Sequence, residues 1–233
     1  MQLFSGGKDS FLSTCKLIEN NNIVYLINYD NGCGLCNENI KHGVKRLTKK
    51  YGKKQVKFLG IYNISGIWRS FFLPFLNLKP SKIIKEYGEI TYSQFNCLTC
   101  RLSMYLYSIA VCQCLNISKV SDGARYVQGF AIETKTMLDR FKKIFEKYKI
   151  DLILPVVDLD SDWDEKNELL IHGFVPKVLE PQCLLGVPLE NGRLDEEIIK
   201  GVTSFYDKEI IDKCDTLIDM IRPIINADMQ STI

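Results

Sequence analysis

Residues 23–29 (IVYLINY) are apolar almost throughout, the pattern of a strand covered on both faces. Residues 56–62 (VKFLGIY) and 150–157 (IDLILPVV) read the same way, and shorter apolar runs at 2–4 and 117–120 predict two more strands. Between them the apolar positions recur at helical spacing. This predicts helices over 11–19 (FLSTCKLIE, capped by Asp9 or Ser10), 37–51 (with a basic outer face), 102–115, 132–148 (basic and amphipathic) and 163–172. Residues 195–221 supply one or two more. Pro74 interrupts an apolar and aromatic stretch at 65–78, and Pro80 and Gly88 make 79–96 read as irregular. Strand and helix alternating in this order predict an α/β fold: a doubly wound, mostly parallel five-stranded sheet with helices on both faces.

Composition adds bounds to that picture. A chain of 233 residues, 46% hydrophobic, buries a full core without staples and fits one ordinary domain with a small appendage. The net charge of +2 argues neither for nor against nucleic acid. No basic-then-apolar run opens the chain and no apolar stretch reaches about 18 residues, so no membrane partner is expected and the expected address is cytoplasmic. Thiols stay reduced there, so the nine cysteines are core filler, metal ligands or redox groups rather than disulfides.

The stretch between the first strand and the first helix is Ser5-Gly6-Gly7-Lys8-Asp9-Ser10. A strand, a glycine turn and a helix N-terminus make an anion site: glycines let backbone N–H groups approach phosphate oxygens, and the helix adds donors and positive dipole. Ser5 and Ser10 can donate hydroxyls, and Lys8 adds a full charge. The spacing is not that of the Walker loop, so γ-phosphate transfer machinery is not implied.

The hexapeptide resembles the PP-loop, S-G-G-x-D-S, of the ATP pyrophosphatase superfamily, a Rossmann-like group of the HUP type. The resemblance covers residues 1–185 as a nucleotide-binding domain and leaves 186–233 as a helical C-terminal extension that supports a homodimer. It implies that ATP is split between its α and β phosphates, that a substrate oxygen is adenylated as pyrophosphate leaves, and that a nucleophile then displaces AMP. On this reading Ser5, Gly6, Gly7 and Ser10 bind phosphate and Lys8 stabilises charge on the departing pyrophosphate. Asp9 either holds the motif or helps place Mg²⁺. Asp30, in Asn28-Tyr29-Asp30-Asn31-Gly32, either holds ribose or adenine or serves the turn. Asp122, Gly123 and Arg125, after the fourth strand, stand where relatives carry nucleotide-facing residues of a different pattern.

Cys97-Leu98-Thr99-Cys100 precedes a predicted helix, where two thiolates can share one metal and the helix dipole favours them. In layout the chain is similar to thiolation enzymes of the same superfamily, which hold a [4Fe-4S] cluster by a Cys-x-x-Cys and one distant cysteine. That likeness implies Cys97, Cys100 and Cys183 as three ligands, with one iron open to bind sulfide. Cys33 and Cys36 form a second such pair. They carry a persulfide or resolving disulfide, join Cys97 and Cys100 in a Zn²⁺ site, or are a bland reduced pair. Cys15, Cys112, Cys114 and Cys214 fall within helical patterns and read as buried.

Lys41, Lys45, Arg46, Lys49, Lys50, Lys53 and Lys54 crowd one helix and its end, either to steer RNA or as a solvated face. Residues 68–75 (WRSFFLPF) line a pocket or belong to the core. The function expected is adenylation followed by sulfur transfer, with tRNA or a small molecule as acceptor and a donor protein or sulfide as sulfur source. Amide or nitrile formation from ammonia, with structural zinc, is the alternative among enzymes. A non-catalytic nucleotide-binding or redox-sensing protein is the alternative outside them.

Overall fold

The computed structural model describes residues 1–20, 22–35, 38–88, 90–176, 182–185 and 195–230. Its main sheet holds five parallel strands: β1 (Gln2–Leu3), β2 (Val24–Asp30), β4 (Val56–Asn63), β5 (Lys119–Ser121) and β6 (Asp151–Ile153). Their spatial order is β4-β2-β1-β5-β6, with helices around them, so the doubly wound α/β fold expected from the pattern is the fold observed. These are the five strands read from the sequence. β6 is much shorter than the apolar run at 150–157, because Pro155 has no N–H for a ladder. A separate antiparallel pair, β3 (Gly34–Leu35) with β7 (Gln182–Cys183), was not legible in the sequence.

The chain forms two compact units interleaved in sequence. The first comprises Met1–Asn63, Lys119–Gln128 and Leu152–Leu184. In it α1 (Lys8–Glu19), α2 (Glu38–Tyr51) and α7 (Asp162–Ile171) bury one continuous core, which includes Phe4, Phe11, Leu12, Leu26, Leu47 and Leu169. Val24 pairs with Val56 and Leu26 with Phe58, but Ile27 pairs with Gly60, so Leu59 is an extra residue. Gly60 sits at φ +128°, a conformation that admits such a bulge.

The second unit comprises Ile64–Ser118, Gly129–Asp151 and Leu185–Ile233. It is built on α5 (Tyr92–Leu115), which packs with α3 (Ser65–Leu76) and α9 (Cys214–Gln230). α5 is long and apolar enough to cross a membrane by length and composition, yet 67% of that window is buried inside the protein, which marks a core helix. Trp68, Phe71, Phe72 and Phe75 are buried, with Phe75 stacked on Phe95 at 3.6 Å, so the aromatic stretch is core. Three sequence expectations fail here for local reasons. Pro74 lies in the last turn of α3 and does not end it. Residues 79–96 are not irregular: Pro80 opens α4 (Pro80–Tyr87), where a missing N–H costs nothing, and Gly88 at φ +78° caps it. Thr91 then accepts a hydrogen bond from Gln94 N and starts α5 ten residues before the predicted helix.

Candidate functional site

β1 is two residues long and feeds directly into the loop that ends at α1. Gly6 adopts φ +83°, and a Cβ there would lie 3.0 Å from Asn39 C and Ile40 N, so the tight turn requires glycine. Ser5 Oγ accepts from Gly7 N at 3.2 Å and stands 3.1 Å from Ser10 Oγ, which donates to Gly7 O at 3.0 Å. These contacts close the loop on itself. No side chain caps α1, the position where helix amides and dipole favour an anion. Beneath it, Ser13 Oγ donates to Gln2 Oε1 at 2.7 Å and lies 3.1 Å from Ser121 Oγ, fixing α1 over β1 and β5.

Parallel neighbours deliver their carboxyl ends to one edge of a sheet, and β5 brings Asp122, Gly123 and Arg125 to the edge that holds the loop. A Cβ on Gly123 would come within 2.8 Å of Ser10 N and 2.9 Å of Asp9 C, so the two segments are in backbone contact. Arg125, 4% exposed, places Nε 2.5 Å from Asp9 Oδ1, off the N–H axis and so an ion contact rather than a hydrogen bond. Its Nη2 donates to Asp162 Oδ1 at 2.7 Å, and Gln128 Nε2 donates to Asp9 Oδ2 at 2.6 Å. Asp9 Oδ1 thus meets the Arg125 guanidinium as an ion contact and Oδ2 accepts from Gln128, contacts that suit holding the loop.

α7 completes the cluster. Ser161 caps it, accepting from Asp164 N at 3.1 Å. The Glu165 side chain is fully buried, with Oε2 3.5 Å from Lys8 Nζ and 3.8 Å from Arg125 Nη2. Burial pushes the Glu165 carboxyl up to about 8, helped by the neighbouring Asp9 and opposed by Lys8 and Arg125. The hydrogen bond from Arg125 holds Asp162 below its ordinary value. Burial works against the charge on Arg125, but Asp162, Asp9 and Glu165 outweigh it and raise its pKa. Sequence reasoning missed Gln128, Asp162 and Glu165. The sequence predicts only a short helix over 163–172; the available signal was Glu165 sharing a face with Leu169 one turn on, both buried.

The remaining candidates lie outside the contacts just described. Asp30 takes the turn role: its Oδ1 accepts from Gly32 N at 2.7 Å, and Gly32 is at φ +85°. Cys97 and Cys100 lie inside α5, not at its start, so the helix-dipole argument for them fails; they remain one turn apart and half-buried, a pair able to share a metal. They belong to the second unit. Cys183 and Cys33 belong to the first, where Gly34 is opposite Cys183 and Leu184 N donates to Cys33 O at 3.0 Å. Cys36 lies outside the described residues. Among the described residues no group of three or more His, Cys, Asp or Glu could hold a metal ion. Cys15, Cys112 and Cys214 are buried as expected, which pushes their thiols up to about 11, 12 and 12. Cys114 is half-buried.

Two of the basic residues of α2 are engaged within the fold. Arg46 lies over the Phe11 and Phe174 rings and donates to Val175 O at 2.7 Å; Lys50 lies over Phe174 and donates to His172 O. His172 Nδ1 in turn sits 2.6 Å from Glu19 Oε1, a structural role.

No family model matches the chain, and no curated protein matches it.

Proposed function

We propose that this chain binds ATP by its phosphates at residues 5–10 and forms AMP and pyrophosphate, adenylating a substrate oxygen that sulfur then replaces. The observation that carries this reading is the backbone contact between Gly123 and the first turn of α1, beside a glycine-built turn at Gly6. Together they pack the loop backbone tightly against its neighbours and hold it at an α1 N-terminus that no side chain caps, where backbone N–H groups and the helix dipole favour a phosphate.

The residues divide the work as follows. Backbone N–H groups of the loop and the N-terminal field of α1 receive the phosphates, and Ser5, on the exposed side of the loop, adds a hydroxyl. Lys8 offsets the charge that grows on the bridging and terminal oxygens as the α–β bond breaks, which is electrostatic stabilisation. Asp9, gripped by Arg125 and Gln128, keeps the first turn of α1 in place. The substrate oxygen attacks the α-phosphorus, pyrophosphate leaves, and a sulfur nucleophile displaces AMP. Cys97 and Cys100 are the proposed metal-holding pair, for an iron–sulfur group or zinc.

Product analysis tests the reading. Incubation with ATP and candidate acceptors should release AMP and pyrophosphate, and Lys8→Ala should lower the rate by about 100-fold while leaving the fold intact. ADP and phosphate as sole products would overturn it. ATP binding with no turnover across acceptors would move the weight to a nucleotide-sensing role.

A further inference from the structure

Glu165 is the one group of the cluster whose placement the loop reading leaves unexplained. It is fully buried on α7, its charged neighbours are Lys8, Asp9 and Arg125, and neither of its carboxyl oxygens makes a hydrogen bond of good geometry among the described residues. Its contacts with Lys8 Nζ (3.5 Å) and Arg125 Nη2 (3.8 Å) are longer than the ~2.7–2.9 Å of a charge-assisted hydrogen bond. Lys8 and Asp9 face it from α1, Arg125 from the loop after β5, and Asp162 from one turn earlier on α7. Lys8 is the nearer of the two cations, at 3.5 Å against 3.8 Å, so it is the cation on which Glu165 exerts the larger pull.

Resting on the phosphate-loop reading, we propose that Glu165 is a positioning residue that acts through Lys8: its carboxylate competes with the bound phosphate for the Lys8 ammonium. The competition has a direction. When Glu165 is neutral, the charge of Lys8 is directed to the anion in the loop. When Glu165 is ionised, Lys8 is drawn back towards α7 and the anion is held less tightly. Burial and Asp9 favour the neutral form and Lys8 and Arg125 oppose it, so the ionised form grows in as pH rises through about 8. An anion that pulls on Lys8 also removes the attraction that favours ionised Glu165, so phosphate occupancy and a neutral Glu165 reinforce each other. As pyrophosphate departs, Glu165 regains Lys8, which opposes rebinding of the product.

The test is calorimetric titration of inorganic pyrophosphate, without metal, into wild type, Glu165→Gln, Lys8→Met and the double variant. Glutamine has the shape of the neutral acid, so Glu165→Gln should match wild type at about pH 6.5 and bind about tenfold tighter at about pH 9. In the Lys8→Met background the same substitution should change affinity less than about twofold, because the effect passes through the ammonium. A purely packing role for Glu165 would produce neither the pH dependence nor its loss with Lys8. Equal affinity of Glu165→Gln and wild type at both pH values overturns the inference and leaves the loop reading standing. Absence of pyrophosphate binding in every variant overturns the loop reading and the inference with it. Should Glu165→Gln fail to fold, wild type and Lys8→Met decide: pyrophosphate affinity that falls with pH equally in both overturns the proposal.

Discussion

Arg125 Nε and Asp9 Oδ1 stand 2.5 Å apart, although one residue follows β5 and the other lies in the first turn of the helix after β1. The parallel pairing of β1 with β5 is what brings them together, since it puts both carboxyl ends at one edge. The contact ties the opening loop to a segment distant in sequence, and the loop therefore depends on residues that no local motif contains.

Arg125→Leu should cost about 3–5 kcal/mol, because it removes the buried guanidinium that ties half-buried Asp9 to Asp162 and α7. Gln128→Ala should cost less, about 1.5 kcal/mol, the loss of a single hydrogen bond to a carboxylate. Urea denaturation of both variants checks the ranking, and equal losses would mean that the ion contact does not hold the loop.

Stability should fall as pH rises from about 4.5 towards about 8, the interval between the ordinary value of Glu165 and its value in the fold. The sign follows from linkage: over that interval the folded protein keeps the proton on Glu165 while the unfolded chain has lost it, so unfolding becomes easier with pH. Glu165→Gln should remove this contribution and flatten the profile. Denaturant midpoints at about pH 5 and about pH 8 for both proteins measure it, and parallel profiles would count against a buried neutral Glu165.

Gly123→Ala should destabilise by about 1–3 kcal/mol and abolish nucleotide binding, because the new methyl would fall 2.8 Å from Ser10 N and 2.9 Å from Asp9 C, both backbone atoms that cannot move alone. Gly66→Ala is the control, with nothing within 4 Å of its Cβ position. Thermal unfolding and ATP titration distinguish the two, and wild-type binding by Gly123→Ala would remove the close-approach argument.

Cysteine chemistry should divide by burial. Cys15, Cys112 and Cys214, whose thiols burial raises to about 11, 12 and 12, should resist alkylation in the native protein at about pH 8 and react on unfolding. Protein prepared without oxygen should contain iron or zinc, and Cys97→Ser or Cys100→Ser should each lose most of it, while Cys112→Ser should not. Mass spectrometry after labelling and elemental analysis provide the readouts. Metal content unchanged in both Cys97→Ser and Cys100→Ser would reject the pair as ligands.

The alternation of apolar runs determined the five strands and the parallel sheet, because burial of residues such as Leu26, Ile27 and Val56 is a local demand written at every strand position. The loop at residues 5–10 was legible for a similar reason: Gly6 must adopt a positive φ and Gly7 must precede a helix, and both requirements are visible in adjacent residues. Pro80 and Gly88 misled the reading because the same residues break helices inside them and bound them at their ends; which applies depends on the turns either side. Tertiary structure alone decided the site around the loop. Strand order set Arg125 against Asp9, and the packing of α7 on α1 put Glu165 beside Lys8. A buried charge acts through space at a few ångströms, whereas periodicity and motifs act along the chain, so a glutamate in an acidic helix start shows nothing of its role until the fold has chosen its neighbours.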